Sequence, residues 1–431
     1  MSVSELPPGP ETDAPLAARA FARISGAEDT VPPEEGRNGL REVASIALTK
    51  VADGLIDPKL VLSWLLTALG APAAYAGALV PIREAGALLP QIGLAAWLAR
   101  MRHRRWMWAA GALVQGLAAL SIAGAALLLD GAAAGLAICG ALAVLALARA
   151  ACSVSFKDVL GRTVAKTRRG AVTGLAGSVA SLAVVVFALL LMSGLMQDRG
   201  PVIAAIALAG LCWIAAALTF STVEEPAAED AGQAPRIRFL SVLRGDAMLR
   251  RFILARGLLV STALAPPYLV VLAGQGGEAV LGRLGALVLA SALASFISSY
   301  VWGRAADRSS RLVLAASGLA AAGAVALALV LDATGLFTAH WAGPAVLFLL
   351  MIAYHGVRQA RSVYLVDMAE DAERAAYTAV ANTSIGTILL VAGLFGDAAS
   401  AIAPEWALAG YGVMAVLGAA VAFTLREVEG G

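Results

Sequence analysis

Residues 132–155 read AAAGLAICGALAVLALARAACSVS, with Arg149 as their single charge. Roughly 20 mostly apolar residues, at about 1.5 Å of rise each, are what a helix needs to cross the hydrocarbon core of a bilayer. The composition agrees with that reading. Of 431 residues, 60% are hydrophobic and 14% charged, against roughly 25% charged in a soluble domain. Mean hydropathy is +0.80. Apolar surface in this excess cannot be hidden inside a water-soluble core and takes lipid as its solvent.

Comparable runs lie on either side, at 44–69, 73–99, 106–129, 170–195, 200–222, 249–273, 279–303, 311–331, 342–365, 375–401 and 405–425. With 132–155 they make twelve spans, so both termini share one side. The first and tenth are the least apolar, because both carry charges. Basic residues set the orientation. Arg100, Arg102, Arg104 and Arg105, then Lys157, Arg162, Lys166, Arg168 and Arg169, then Arg304, Arg308 and Arg311 occupy connections on one face. The other face offers little beyond Arg199 and Arg283. Cytoplasmic loops carry the Lys/Arg excess, so both termini are expected in the cytoplasm. Trp97, Trp106, Trp108, Trp302, Trp341 and Trp406 stand near expected helix ends, where interfacial aromatics belong.

One connection is long and polar. Residues 223–247 hold Glu224-Glu225-Pro226, Glu229, Asp230 and Pro235, and they divide six spans from six. The expected layout is a disordered tail over 1–42, a six-helix bundle over 43–222, a linker over 223–247, a second bundle over 248–426 and a short tail over 427–431. The patch Leu16 to Ile24 in the first tail is amphipathic. The halves also look related. Arg149, Ser153 and Asp158 lie over Arg358, Ser362 and Asp367; Arg169 with Thr173 lies over Arg374 with Thr378; Lys50 lies over Arg256. Parallel six-helix repeats are a transporter design. The fold class is therefore an all-α integral membrane protein, with twelve transmembrane helices in two pseudo-symmetric bundles.

After the eighth span stands Gly303-Arg-Ala-Ala-Asp307-Arg308-Ser-Ser-Arg311. This resembles the loop signature of the major facilitator superfamily, in which the loop latches the cytoplasmic side. The residue types suit the task. Glycine lets helices approach, aspartate can sit at a neighbouring helix N-terminus, and arginines can reach carboxylates on adjacent helices. Asp367, after the tenth span, joins this candidate latch. The first half departs from the pattern, because Met101 stands where the aspartate is expected; Glu370, Asp371 and Glu373 are expected to pair with Arg102, Arg104 or Arg105 instead. Arg149 resembles an arginine that proton-coupled members associate with coupling, although Ala150-Ala-Cys-Ser departs from the family pattern around it. Asp57-Pro58-Lys59 and Pro81-Ile-Arg83-Glu84 look like a bacterial branch of the superfamily. The resemblance implies spans one, four, seven and ten around a central cavity.

Ionisable groups inside a span cost about 3 kcal/mol or more near the centre and persist where they pair or line water. The first span holds Lys50, Asp53, Asp57 and Lys59, and the second holds Arg83 and Glu84. Asp53 and Asp57 are four residues apart, hence on one helix face, where two carboxylates can share a proton. Pro58 leaves the Gly54 carbonyl without its helical donor, so a bend is expected there. The neutral sum of these six charges equally suits a closed ion-pair network holding two helices together. Arg256 lies in the seventh span; His355, Arg358, Arg361 and Ser362 lie in the tenth, with His355, Arg358 and Ser362 along one face. A lone buried histidine is more often a hydrogen-bonded structural residue than a ligand, but His355 stands beside Arg358 in a span expected to line the cavity. Arginines of the second half without a midplane acid there favour an anionic substrate group, the alternative being that Asp53, Asp57 or Glu84 neutralises them across the cavity.

Lys50, Asp53, Asp57, Arg83, Glu84, Arg149, Arg256, His355 and Arg358 are thus candidates for a substrate or proton pathway. The expected function is secondary transport of a small solute by alternating access, with an anionic substrate and proton coupling as finer expectations. No Walker sequence supports a primary pump. The alternatives are a sensor or assembly partner on the same scaffold, and a membrane-embedded enzyme. No HExxH stands against the enzyme reading, in which only His103, His340 and His355 could serve as histidine bases. No catalytic residue, metal or cofactor is expected. Cys139, Cys152 and Cys212 all lie in apolar runs without metal-type spacing. The partners expected are lipid, a small solute and protons, with no nucleic acid and a monomeric chain. Few lysines (Lys50, Lys59, Lys157 and Lys166) beside many Ala, Gly and Arg suggest a bacterial inner membrane.

Overall fold

The computed structural model describes residues 16–25, 30–193, 199–227, 239–274, 281–368 and 374–428. These residues form helices and no strands. Eight helices among them are long and apolar enough to cross a membrane. Four expected spans fall outside that set. Spans 1 and 2 are broken, span 8 counts only over the described stretch Leu284–Ser298, and span 10 mixes its apolar run with His355, Arg358 and Arg361.

Span 1 is α2 (Pro33–Leu55) followed by α3 (Val61–Ala68). Pro58 cannot donate to the Gly54 carbonyl, so the helix stops one turn earlier, and the Asp57 carboxylate starts the next helix by accepting from the N–H groups of Lys59 (2.8 Å) and Leu60 (3.1 Å). Span 2 is α4 (Ala73–Leu88) and α5 (Gln91–Leu98), interrupted before Pro90. Spans 3 to 6 are α6 (Arg105–Leu128), α7 (Gly131–Thr163), α8 (Arg169–Met192) and α9 (Gly200–Ser221). Span 7 is again broken, into α11 (Ala247–Leu258) and α12 (Ser261–Gly274), after the short α10 (Phe239–Gly245). Spans 8 and 9 are two arms of α13 (Leu281–Ala333), separated by an extended Ser309 at φ −165° and ψ 96°. Spans 10 to 12 are α14 (Ala342–Met368), α15 (Arg374–Ser400) and α16 (Pro404–Phe423). The breaks in spans 1 and 7 occupy corresponding places in the two halves.

The outer face is apolar, with Leu128, Leu182, Leu218, Phe296 and Leu394 all exposed. A soluble protein would not present so much contiguous apolar surface; lipid covers it in this multi-pass membrane protein. Trp97, Trp106, Trp341 and Trp406 are exposed at helix ends. Inside, Trp108 stacks on Phe220 with centroids 4.0 Å apart, and Phe252 on Tyr364 at 5.2 Å. The three cysteines are unpaired thiols.

The stretch expected to be a disordered tail contains ordered structure. α1 (Leu16–Ser25) is a helix, and α2 begins at Pro33. Phe21 and Ala18 are buried against Val43, Leu160, Val164 and Val172, at the ends of spans 1, 4 and 5. Glycines make the dock: a Cβ at Gly36 would meet the Ala18 backbone, and one at Gly39 the Phe21 ring. Glu35 adds a buried ion pair to Arg168 at 2.7 Å. Composition pointed the other way because an amphipathic helix this short is marginal alone and forms only on its dock.

The start of the linker is stitched down as well. Glu224 accepts from Arg37 (3.1 Å) and Arg41 (3.0 Å), and its backbone exchanges hydrogen bonds with the Asn38 side chain. Arg105 donates its backbone N–H to Glu225 at 2.8 Å and its guanidinium to the Val223 carbonyl.

The two halves pack through spans 1, 2 and 5 on one side and spans 7, 8 and 11 on the other. The seam runs from the face opposite the termini inward. A Cβ at Gly77 would strike Tyr268 and Asp397, one at Gly393 would overlap the Pro81 ring, and one at Gly285 would meet Met192 and the Ala188 carbonyl. Among the described residues the face bearing the termini has no comparable seam.

Two outcomes follow. Gly393→Val cannot close against Pro81, so a cysteine reporter placed between the halves above that level should react with a membrane-impermeant maleimide several-fold faster than in the parent. The two arginines hold the Glu224 carboxyl below its ordinary value of 4.5. Their grip is therefore fully present above that value and is lost as pH falls through the depressed one. Hydrogen exchange at residues 222–225 should rise over that acidic window, and E224Q should show the faster exchange already at neutral pH.

Candidate functional site: a charged cavity between the halves

The break in span 1 decides where its charges go. Asp53 is the last acid of α2, and Asp57 lies beyond the helix end. The expectation that they share one helix face and a proton is therefore corrected. Asp57 is spent on the backbone of α3, whereas Asp53 bridges two arginines. It accepts from Arg83 of span 2 at 2.7 Å on one oxygen and from Arg149 of span 4 on the other. Arg83 is nearly buried and Asp53 about three-quarters buried. Lys50 turns elsewhere and donates to the Thr173 carbonyl of span 5 at 3.0 Å.

The next residue of span 2, Glu84, lies 3.8 Å from Lys59. Lys59 is buried, donates to the Tyr354 hydroxyl at 3.2 Å and sits 4.4 Å from that ring's centroid. Tyr354 belongs to span 10, so this contact joins the halves. A second bridge runs through amides. Arg256 of span 7 donates to the Asn382 oxygen at 3.1 Å, and the Asn382 nitrogen donates to Gln91 of span 2 at 3.1 Å. The halves echo each other here, since Lys50 and Arg256 both reach from the first helix of their bundle to its fifth.

A cavity of about 430 Å³ opens beside these groups. Arg256, Arg358, Arg361, Tyr354 and Glu84 face it, over apolar walls that include Leu88 and Leu389. Its lining comes from spans 2, 7, 10 and 11, where spans 1, 4, 7 and 10 were expected. Span 10 turns the face 354, 357, 358 and 361 inward. His355 is off that face, its Nε2 buried without a hydrogen-bond partner and its ring 5.2 Å from that of Tyr354. Ser362 bonds back to its own helix, at the Gln359 carbonyl (2.7 Å). Sequence reasoning missed Tyr354, Asn382 and Gln91, which carry no charge to betray them. It also missed Asp397, which takes a hydrogen bond from Tyr268 at 3.0 Å on the far seam.

The candidate latch is partly visible. The side chains of Gly303 and Asp307 lie outside the described residues, as do Glu370, Asp371 and Glu373. Arg308 and Asp367 are exposed. Arg311 pairs with Glu427 at 3.1 Å and reaches the Phe423 carbonyl, so it ties span 9 to the end of span 12. Arg104 meets Asp158 on span 4 at 2.5 Å, and Asp158 also takes Arg162 at 2.8 Å.

The backbone architecture has solved counterparts. A D-xylose–proton symporter superposes with a TM-score of 0.66 at 12% identity, covering 91% of this chain and 98% of the other. This is the major facilitator fold. The nucleoside transporter NupG aligns at 0.65 and 13% identity over 90% of this chain and 98% of its own. The xylose transporter XylE from E. coli, in an inward-open conformation, aligns at 0.61 and 12% identity over 91% and 96%. No family model and no curated protein matches the sequence. In this major facilitator fold, the cavity and its charges lie where the two bundles meet.

Removing one partner of a buried pair leaves its mate uncompensated and costs about 3–5 kcal/mol when fully buried, less where water reaches it. D53N strands both Arg83 and Arg149. It should lower the melting temperature of the purified protein, and adding R149Q should restore part of the loss. A double mutant that melts no higher than D53N would mean the contact is not coupled.

Proposed function

We propose that this chain is a secondary active transporter. It moves a small solute bearing an anionic group across a bacterial inner membrane by alternating access, with both termini in the cytoplasm. The observation that carries the reading is the cavity itself: three guanidiniums face one chamber at the junction of two six-helix bundles. Arg256, the buried one of the three, is a guanidinium in a low-dielectric site and needs a counter-charge, which a carboxylate or phosphate on the solute supplies. The glycine seam on the face opposite the termini supports reading this conformation as an inward-facing state of the cycle. The transporters that share the fold support the same reading.

Proton coupling rests on Asp53. Its two arginines lie on different spans, so a proton arriving on the carboxylate would release both. Loss of that clamp loosens spans 2 and 4 against span 1, next to Lys59 and Gln91, whose contacts tie the two bundles together. Arg149 stands in both contexts, as the residue the family resemblance singles out and as a partner of Asp53.

The solute is found by comparing metabolite accumulation in cells lacking and overproducing the protein. Flux of that solute into proteoliposomes should then collapse with a protonophore. D53N should abolish uptake driven by a pH gradient while leaving solute counterflow within a few-fold of the parent. Pumping in D53N that still follows the pH gradient removes Asp53 from the coupling step, and absence of any solute flux removes the carrier reading.

A further inference from the structure

The charges facing the cavity do not balance. Arg256, Arg358 and Arg361 line it, and the single acid on its wall, Glu84, lies beside Lys59. No aspartate or glutamate among the described residues comes within ion-pair distance of the three arginines. Other membrane acids nearby are already engaged, Asp53 by Arg83 and Arg149, Asp57 by the backbone of α3, and Asp397 by Tyr268 on the far seam. Three positive charges therefore stand in excess around one chamber, and a single carboxylate leaves two of them unanswered.

The cations fall into two groups. Arg358 and Arg361 are three residues apart on α14 and share a helix face. Arg256 comes from α11, another span. It is 5% exposed, and its Nε is buried with no hydrogen-bond partner while Nη1 is held by Asn382. A guanidinium offers five donors in a fixed fork, so this one is oriented by an amide, lines the cavity and keeps donors that no protein acceptor meets. Between the groups the walls are apolar, formed by Leu88, Leu259, Val357 and Leu389.

We propose that the cavity selects an amphiphilic organic dianion, a short apolar body with one oxyanion held by Arg256 and a second held by Arg358 and Arg361. This deepens the carrier reading and rests on the cavity being its central site. Arg256 also reports occupancy. An oxyanion that takes its fork pulls on Asn382, and Asn382 holds Gln91 of the other half. Ligand at one pole is thereby linked to the seam between the bundles.

The test uses the full chain in lipid nanodiscs with probes of one carbon length: hexanedioate, hexanoate, hexane-1,6-diol and hexyl phosphate, with affinity read by calorimetry. Hexanedioate should bind about tenfold or more tighter than hexanoate, as two charge-assisted contacts exceed one, and the diol should not bind. R256Q should bring hexanedioate down to the affinity of hexanoate while hexanoate itself still binds. R256K, which keeps the charge and loses the fork, serves if R256Q does not fold, and it should lose most of the preference. Equal affinity of the acid and the diacid, hexyl phosphate outbinding hexanedioate, unchanged preference in the Arg256 variants, or no binding by either dianion would overturn the proposal. Proteoliposome flux is read separately. Selective binding without flux leaves the site standing and defeats the carrier reading, whereas flux of neutral solutes unaffected by R256Q and R358Q does the reverse.

Discussion

A carboxylate between two guanidiniums is the contact on which the interior depends. Asp53 is held by Arg83 and Arg149, and each of those arginines would be prohibitively costly in hydrocarbon without it. The triad fixes spans 1, 2 and 4 in one arrangement and gives the first bundle a polar spine. It still carries one positive charge beyond neutrality, so it needs water or another anion nearby. The adjoining cavity supplies the route. Charge burial here is therefore not a matter of stability alone, because pairs of this kind seldom outperform a packed apolar core. Their retention points to work that an apolar core could not do.

The neighbouring contacts share a logic. Lys59 touches Tyr354, and Gln91 touches Asn382; both contacts cross from one bundle to the other. They are single hydrogen bonds, worth about 1 kcal/mol each, or somewhat more where a charge takes part. The apolar seam on the far face is held by glycine-mediated close approach at Gly77, Gly285, Gly386 and Gly393 instead. A strong spine within the bundle and weak bonds between bundles are what rigid-body rocking requires.

Much of this was legible in the sequence because the membrane imposes a coarse code. Apolar runs pointed to the twelve spans, and Pro58 marked the break in span 1. Which charges would meet was less legible. Asp53 and Asp57 obey helical spacing in the sequence, yet the proline that signals the break also cancels the spacing argument. His355 and Ser362 looked cavity-facing for a similar reason. Span 10 is rotated so that Tyr354 points inward, and only packing against the other half sets that rotation. Neutral bridging residues such as Asn382 and Gln91 left no mark, since an amide in a span is as readily structural as functional. The helix at Leu16–Ser25 was hidden because its order is borrowed from a dock formed by distant residues.

The interruptions in spans 1 and 7 have a mechanical meaning. At residues 56–60 and 259–260 the ladder of helical hydrogen bonds is thinned: Ile56 and Leu259 still donate to the Ala52 and Ala255 carbonyls, while Lys59 and Leu60 turn their N–H groups to the Asp57 carboxylate and Thr262 turns its own to the Leu259 carbonyl. Each span can then change its angle at a joint by turning a few torsions where fewer rungs have to give. A continuous rod would have to melt a turn inside the bilayer to bend by the same amount. The energetic toll of the joint was met once, during folding, and does not recur with every stroke.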